Sequence, residues 1–215
     1  RGPVIPFVLE TRNLSELHGL KDILELNGEE AIALLRAARL YQDALWIAET
    51  DPNLAWLMLV SALETVAGCW RGSSFSNKEI LSETLPKLIS FLTAEGYEKL
   101  IDWIADHLAH LTGSTKKFIN FSLRFLPDAP EQRPREFLQI EWTPDAWKKT
   151  FSKIYKYRSE ALHTGTPFPL PMGDPPFRYR PNEPLSERGT IGVAASQANA
   201  SWKAEDLPIN LNLFA

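Results

Sequence analysis

Apolar positions recur every three or four residues through most of residues 28–165, the spacing of helices that each bury one face. Residues 29–50 carry Ile32, Leu35, Ala38 and Leu45 in such a stripe. Glu29 and Glu30 stand in its first turn, where the helix dipole favours carboxylates. Asp51-Pro52 then restarts the chain, with aspartate as the cap and proline at the first helical position. The next helix, residues 53–69, is apolar on nearly every side and is expected at the centre of the fold. Ser76 and Glu79 form a capping box, so a helix begins near Asn77 and runs to about Glu95, kinked or broken at Pro86. Gly96 separates it from residues 97–111, where Leu100, Ile101, Ile104, Leu108 and Leu111 make one stripe. Residues 112–126 read as a further helix, with Phe118, Phe121, Leu123 and Phe125 apolar. Thr143-Pro144-Asp145 starts the last one, which Thr164-Gly165 stops.

Outside this block the helical period fades. Residues 1–27 join an extended, apolar Pro3–Leu9 to one or two short helices between Asn13 and Leu26. Pro127, Pro130 and Pro134 mark residues 127–142 as a loop, with a short strand at Phe137–Ile140. Pro167, Pro169, Pro171, Pro175, Pro176, Pro181 and Pro184 make residues 166–190 irregular chain lying over the surface. Apolar character returns at Trp202, Leu207, Ile209, Leu211, Leu213 and Phe214, as an element cut short. The expected organisation is an all-α helical domain over 28–165, an irregular N-terminal segment over 1–27 and a proline-rich C-terminal tail over 166–215.

Composition removes several classes. With 44% hydrophobic and 11% aromatic residues, the chain is too apolar to remain a solvated coil. Cys69 is the only cysteine, which excludes a disulfide framework and a cysteine-ligated zinc. No uninterrupted apolar run approaches the ~18 residues of a membrane span. The net charge of −4 argues against a broad polyanion-binding surface and leaves only local basic patches. A lone thiol and a start without signal character point to a reducing, cytoplasmic setting. The chain opens Arg1-Gly2-Pro3 without methionine, so an upstream region is expected. Phosphate-binding glycine loops and a Gly-x-Ser-x-Gly elbow are absent.

The densest chemistry lies in Tyr155-Lys-Tyr-Arg-Ser-Glu-Ala-Leu-His-Thr-Gly165. Arg158 is followed, after four intervening residues, by His163 at the end of the last core helix. Ser61-Ala-Leu-Glu-Thr65 lies in the buried earlier helix. Together these features resemble the HEPN superfamily, most closely its Apea-like branch, over roughly residues 30–165. The resemblance implies an all-α bundle that acts as a homodimer, with two Arg–His motifs facing each other across a two-fold axis. It implies a metal-independent endoribonuclease needing no cofactor, with Arg158 and His163 catalytic, used as a toxin or phage-defence effector. RNA would be the substrate, and an antitoxin or an upstream sensor domain would be a partner. Family members often place Asn, Asp or His after the arginine, where this chain has Ser159. That departure keeps a second class open: a catalytically silent helical module for dimerisation or for RNA or nucleotide binding.

The chemistry is also legible from the residues alone. Metal-free RNA cleavage needs a base for the 2′-hydroxyl, which imidazole supplies. It also needs a cation on the phosphorane, and a guanidinium fork is suited to that. Five residues along a helix turn about 500°, which sets Arg158 and His163 about 140° apart. Either Arg158 wraps round, the last turn is distorted, or a dimer assembles the site. Ser159 and His163 do share a face. Glu64, within an apolar helix, either pairs with a cation to tie two helices or orients Arg158 and tunes His163. Tyr157 and its neighbours Tyr155 and Lys156 offer a stacking surface and a phosphate contact. Lys149, Lys153 and Lys156 line one helix side leading toward Arg158, as an RNA footprint or as a solvated face. Asp102, Asp106, His107 and His110 lie at helical spacing, but without a ligand from elsewhere they make a weak metal set, and no metal is expected.

Overall fold

The computed structural model describes residues 2–9, 14–70 and 76–215; the side chains of Leu9, residues 14–16, His18, Glu83, Thr84 and residues 109–112 fall outside that description. The fold is all-α. Helices α1 (Gly28–Ile47) and α2 (Pro52–Cys69) form an antiparallel pair, and α6 (Ser114–Arg124) and α7 (Pro144–Thr164) pack against α2. Helices α3 (Asn77–Thr84), α4 (Pro86–Ala94) and α5 (Glu98–Thr112) form a flanking group with its own buried Leu81, Ile101 and Ala105. The expected capping box of Ser76 with Glu79 is closed, Asn27 and Glu30 form another at the start of α1, and Pro86 breaks the chain between α3 and α4. The loop expected at residues 71–74 lies outside the described residues.

Helix α2 is central. Trp56, Leu59 and Val60 are buried with Phe118 of α6 and with Phe151 and Ile154 of α7. Among the described residues α2 is also the one helix long and apolar enough to cross a membrane by length and composition. Helix α1 turns inward a face that only partly matches its predicted stripe: Leu45 packs against the core, but Ile32 and Leu35 do not lead the buried face. Ala33, Ala37 and Ala44 are buried, while Ile32 and Leu35 are 51% and 61% exposed. Small side chains let the two helix backbones approach, and that close packing outweighs burying the larger residues.

Three local expectations are corrected. Pro6–Leu9, within the segment expected to be extended, is a 3-10 turn, and Val4 and Ile5 join the main core. Glu136–Leu138 is a 3-10 turn instead of a strand, because no strand among the described residues offers it a ladder. Residues 194–203 form a two-stranded hairpin, β1 (Ala194–Gln197) with β2 (Ala200–Lys203), which the irregular tail had not suggested.

The tail does more than lie over the surface. Phe168, Met172, Leu207, Ile209 and Leu211 are buried in the same core as α2, and the chain closes with α8 (Leu211–Phe214). Asn53 accepts a hydrogen bond from the Phe168 amide at 2.9 Å, at the start of α2. Gly173 passes so close that a Cβ there would stand 2.6 Å from Pro52 Cβ, so only glycine fits. Trp56 stacks on Phe168 with centroids 5.2 Å apart and meets Phe214 at 4.8 Å. Its indole N–H donates to Met172 O at 3.3 Å. Trp56→Phe, which removes this bond and part of the ring, is expected to cost about 1–2 kcal/mol in urea denaturation. A change below a few tenths would show that the tail is held by other contacts.

Candidate functional site

Helix α7 is built to carry its C-terminal residues. Thr143 Oγ1 accepts from the Ala146 amide, Pro144 occupies the first helical position, and Gly165 ends the helix in the left-handed conformation at φ 70°. Trp147, Phe151 and Ile154 form its buried stripe, and Arg158 continues that stripe by one more turn. The arginine therefore points inward, toward α2.

There it meets Glu64. Arg158 Nη2 lies 2.5 Å from Glu64 Oε2, with the two side chains 21% and 17% exposed. Tyr155 Oη donates to the other carboxylate oxygen at 2.8 Å. The Arg158 guanidinium also stands 5.6 Å from the Tyr155 ring centroid, and that ring packs on Phe118 at 5.3 Å. Burial, and after it the hydrogen bond to Glu64, push the Tyr155 phenol above its ordinary range. Arg158 Nε is buried and has no hydrogen-bond partner among the described residues. Both open alternatives for Glu64 thus begin from the same fact: it ties α2 to α7 and it holds Arg158. Tyr155→Phe removes one bond to a charged acceptor and is expected to cost about 1–2 kcal/mol. Thermal and urea unfolding would measure it; no change would mean that water replaces the phenol.

His163 is exposed in the last turn of α7, and Ser159, half-buried, lies one turn before it. Helix α7 runs through both residues to Thr164 without interruption, so a distorted last turn does not bring His163 to Arg158. Within one chain the pair points in different directions.

The expected RNA-facing residues divide. Tyr157 is not free to stack on a base: its hydroxyl donates to Asp206 O at 2.9 Å and its ring packs edge-on against Phe168 at 6.0 Å. Burial pushes its phenol up to about 12. Lys153 binds Asp206 Oδ1 at 3.1 Å and the Glu205 carbonyl at 2.7 Å. The Lys153 hydrogen bond, assisted by the Lys203 amide, holds the Asp206 carboxyl below its usual range. Both residues anchor the tail. Lys156 lies 3.6 Å from Glu160, and Lys149 is exposed beside a groove facing the tail.

The acidic and histidine set on α5 also has a structural use. Asp102 pairs with Lys78 and Asp106 accepts from Asn77, both at 3.0 Å, and these contacts dock α3 on α5. His107 stacks on Trp103 at 4.2 Å, and the His110 side chain lies outside the described residues.

Sequence reading missed the polar latch of the tail. Arg133 forks onto Glu187 with bonds of 2.8 and 2.6 Å, and Glu187 also accepts from the Ile140 amide at 2.8 Å. Asn210 Nδ2 donates to Ser186 O at 2.6 Å. An arginine and a glutamate separated by 54 positions carry no local signal of pairing. Compared with known proteins, the chain matches no family model, no curated protein and no solved structure.

Proposed function

We propose that the chain is a metal-independent endoribonuclease of the HEPN type that works as a homodimer. The observation that carries this reading is the Arg158–Glu64 pair, which joins the Arg–His helix to the Ala-Leu-Glu helix of the same resemblance. Glu64 and Tyr155 restrain the guanidinium, so it is oriented before a phosphate arrives. Arg158 would hold the scissile phosphate and stabilise the phosphorane. His163, exposed and directed elsewhere, would act as base or acid toward the Arg158 of the second subunit. Ser159, on the His163 face, would support it. Lys149 and Lys156 would receive the strand, while Lys153 keeps the tail in place. In this reading the protein is a cytoplasmic toxin or defence effector, restrained by an antitoxin or by an upstream sensor domain.

One observation favours a second reading. Each Glu64 oxygen is already engaged, one by Arg158 and one by Tyr155, so the arginine's charge is neutralised inside the fold. That suits a silent dimerisation or RNA-binding module as well. RNA cleavage in excess chelator separates the two, with wild type, Arg158→Ala and His163→Ala side by side and sedimentation to fix the oligomer. Cleavage by the wild-type dimer that both substitutions remove supports the enzyme. A wild-type dimer that binds RNA without cleaving it supports the module. A monomer without RNA affinity defeats both.

A further inference from the structure

The outer face of α1 carries a pattern that packing within the chain does not use. Ala33, Ala37 and Ala44 turn toward α2. Ile32, Leu35, Arg39, Gln42 and Trp46 all fall within about 40° of the direction opposite Ala37 on an ideal helix. All five are exposed, Trp46 by 80%. They follow one another at alternating steps of three and four residues, the spacing of a seam between paired helices. An ordinary surface helix keeps that side polar. Near the middle of the seam Arg39 stands 3.9 Å from Asp43.

The two ends of the seam differ in shape. The N-terminal end presents Ile32 and Leu35 as projecting side chains. At the C-terminal end Trp46 borders a groove of about 610 Å³, walled on its other side by Pro3, Ile5 and Val8. Glu49 ties that wall to α1 by accepting from the Val4 amide at 2.6 Å. An apolar ligand or an unrelated helix end could fill the groove, but Ile32 and Leu35 would stay in water. A second copy covers both. A two-fold axis across the middle of α1 sets the projecting end of each chain against the grooved end of the other.

We propose that this face joins the chain to a second copy of itself, with the two α1 helices antiparallel. Leu35 of each chain then meets Trp46 of the other, and Ile32 extends into the groove beyond it. At the centre Arg39 meets Gln42 and Asp43 of the second copy, so the charges are complementary. A parallel pairing fails on charge and on shape. It sets Arg39 against Arg39 and Asp43 against Asp43, and it leaves both grooves empty. Arg158 and His163 take no part, because both lie on α7. The contact is therefore separate from the one that a composite ribonuclease site needs. A chain that makes both closes into four copies, and a chain that makes this one alone closes into two.

Sedimentation velocity of the full chain over a range of concentrations reads the assembly. The wild type is expected as two or four copies. Leu35→Glu should lower it by one step, from four to two or from two to one. Trp46→Ala should weaken the same association by about tenfold or more. Both side chains are exposed, so circular dichroism and the urea midpoint of the separated chains should not move. Arg39→Glu should weaken association, and adding Asp43→Arg should restore it. Disulfide cross-linking in a Cys69→Ser background reads the direction and does not depend on the stability of the charged variants. Chains with Leu35→Cys should link to chains with Trp46→Cys and not to one another. Arg158→Ala should leave the α1 contact in place, and Leu35→Glu should spare any RNA cleavage, so this inference and the ribonuclease reading fail separately. A monomeric wild type, an assembly that Leu35→Glu leaves intact, or Leu35→Cys chains that link chiefly to one another would overturn the proposal.

Discussion

Replacing His163 by alanine is expected, under the ribonuclease reading, to lower RNA cleavage by about 10²–10⁴-fold, the usual contribution of one positioned acid–base group. The fold should be untouched, because His163 is exposed and the helix stop belongs to Gly165. Arg158→Lys should also lose most activity while keeping the charge, since an ammonium cannot reproduce a guanidinium fork that serves both Glu64 and a phosphate. The two substitutions then permit a test that a structural role would not pass. The uninterrupted α7 points Arg158 and His163 of one chain in different directions, so under this reading each site would draw on both subunits. Mixing chains that carry only Arg158→Ala with chains that carry only His163→Ala makes heterodimers with one intact pairing. Cleavage should reappear in the mixture, to about a quarter of the wild-type level if subunits exchange freely and the two sites act independently. If the mixture stays as inactive as its components, the composite site is wrong.

Glu187→Ala should be the most damaging single change to stability, at about 3–5 kcal/mol. Glu187 is 5% exposed and its partner Arg133 is 20% exposed. Removing the carboxylate strands a guanidinium that also donates to Ile140 O at 2.7 Å, and leaves the buried Ile140 amide without its acceptor. Against a total stability of about 5–15 kcal/mol for a domain, that is a large share. The loss should read as a lower urea midpoint. Adding Arg133→Leu to Glu187→Ala should recover part of it, because the uncompensated charge is then gone. A guanidinium stays protonated at every working pH even without its partner, so in the variant it cannot relieve the strain by deprotonating. A midpoint shift worth less than about 1 kcal/mol would mean that the apolar contacts of the tail hold it unaided.

Much of the scaffold is legible in the sequence. The starts of α1, α2, α3 and α7 and the stop of α7 follow from Glu29 and Glu30, Asp51-Pro52, Ser76 with Glu79, Thr143-Pro144 and Thr164-Gly165, because caps, prolines and first-turn carboxylates act within a single turn of chain. The β1–β2 hairpin was not legible, because its turn places Ala198 and Asn199 at φ 50° and 65°. Such turns usually announce themselves with Asn-Gly or Asp-Gly, and an alanine in that region gives no warning. The buried face of α1 is only partly legible, for a related reason. Periodicity says that a helix has a face to bury, while the approach of α2 decides that the face is Ala33, Ala37 and Ala44.

For the site the division falls in the same place. Spacing and composition along the chain are enough to set Arg158 and His163 about 140° apart near the end of a capped helix, and to require a partner for Glu64 in an apolar helix. These are consequences of backbone geometry and of the cost of burying a charge, and both act locally. That the partner is Arg158, with Tyr155 on the second oxygen, and that Tyr157 and Lys153 are tied to Asp206, follows from the packed fold. It alone decided that the tail shares the core and builds the wall of a groove. Those pairings join residues 49 to 94 positions apart. Which distant partner closes a given bond depends on how all the helices pack together, and no spacing along the chain records it.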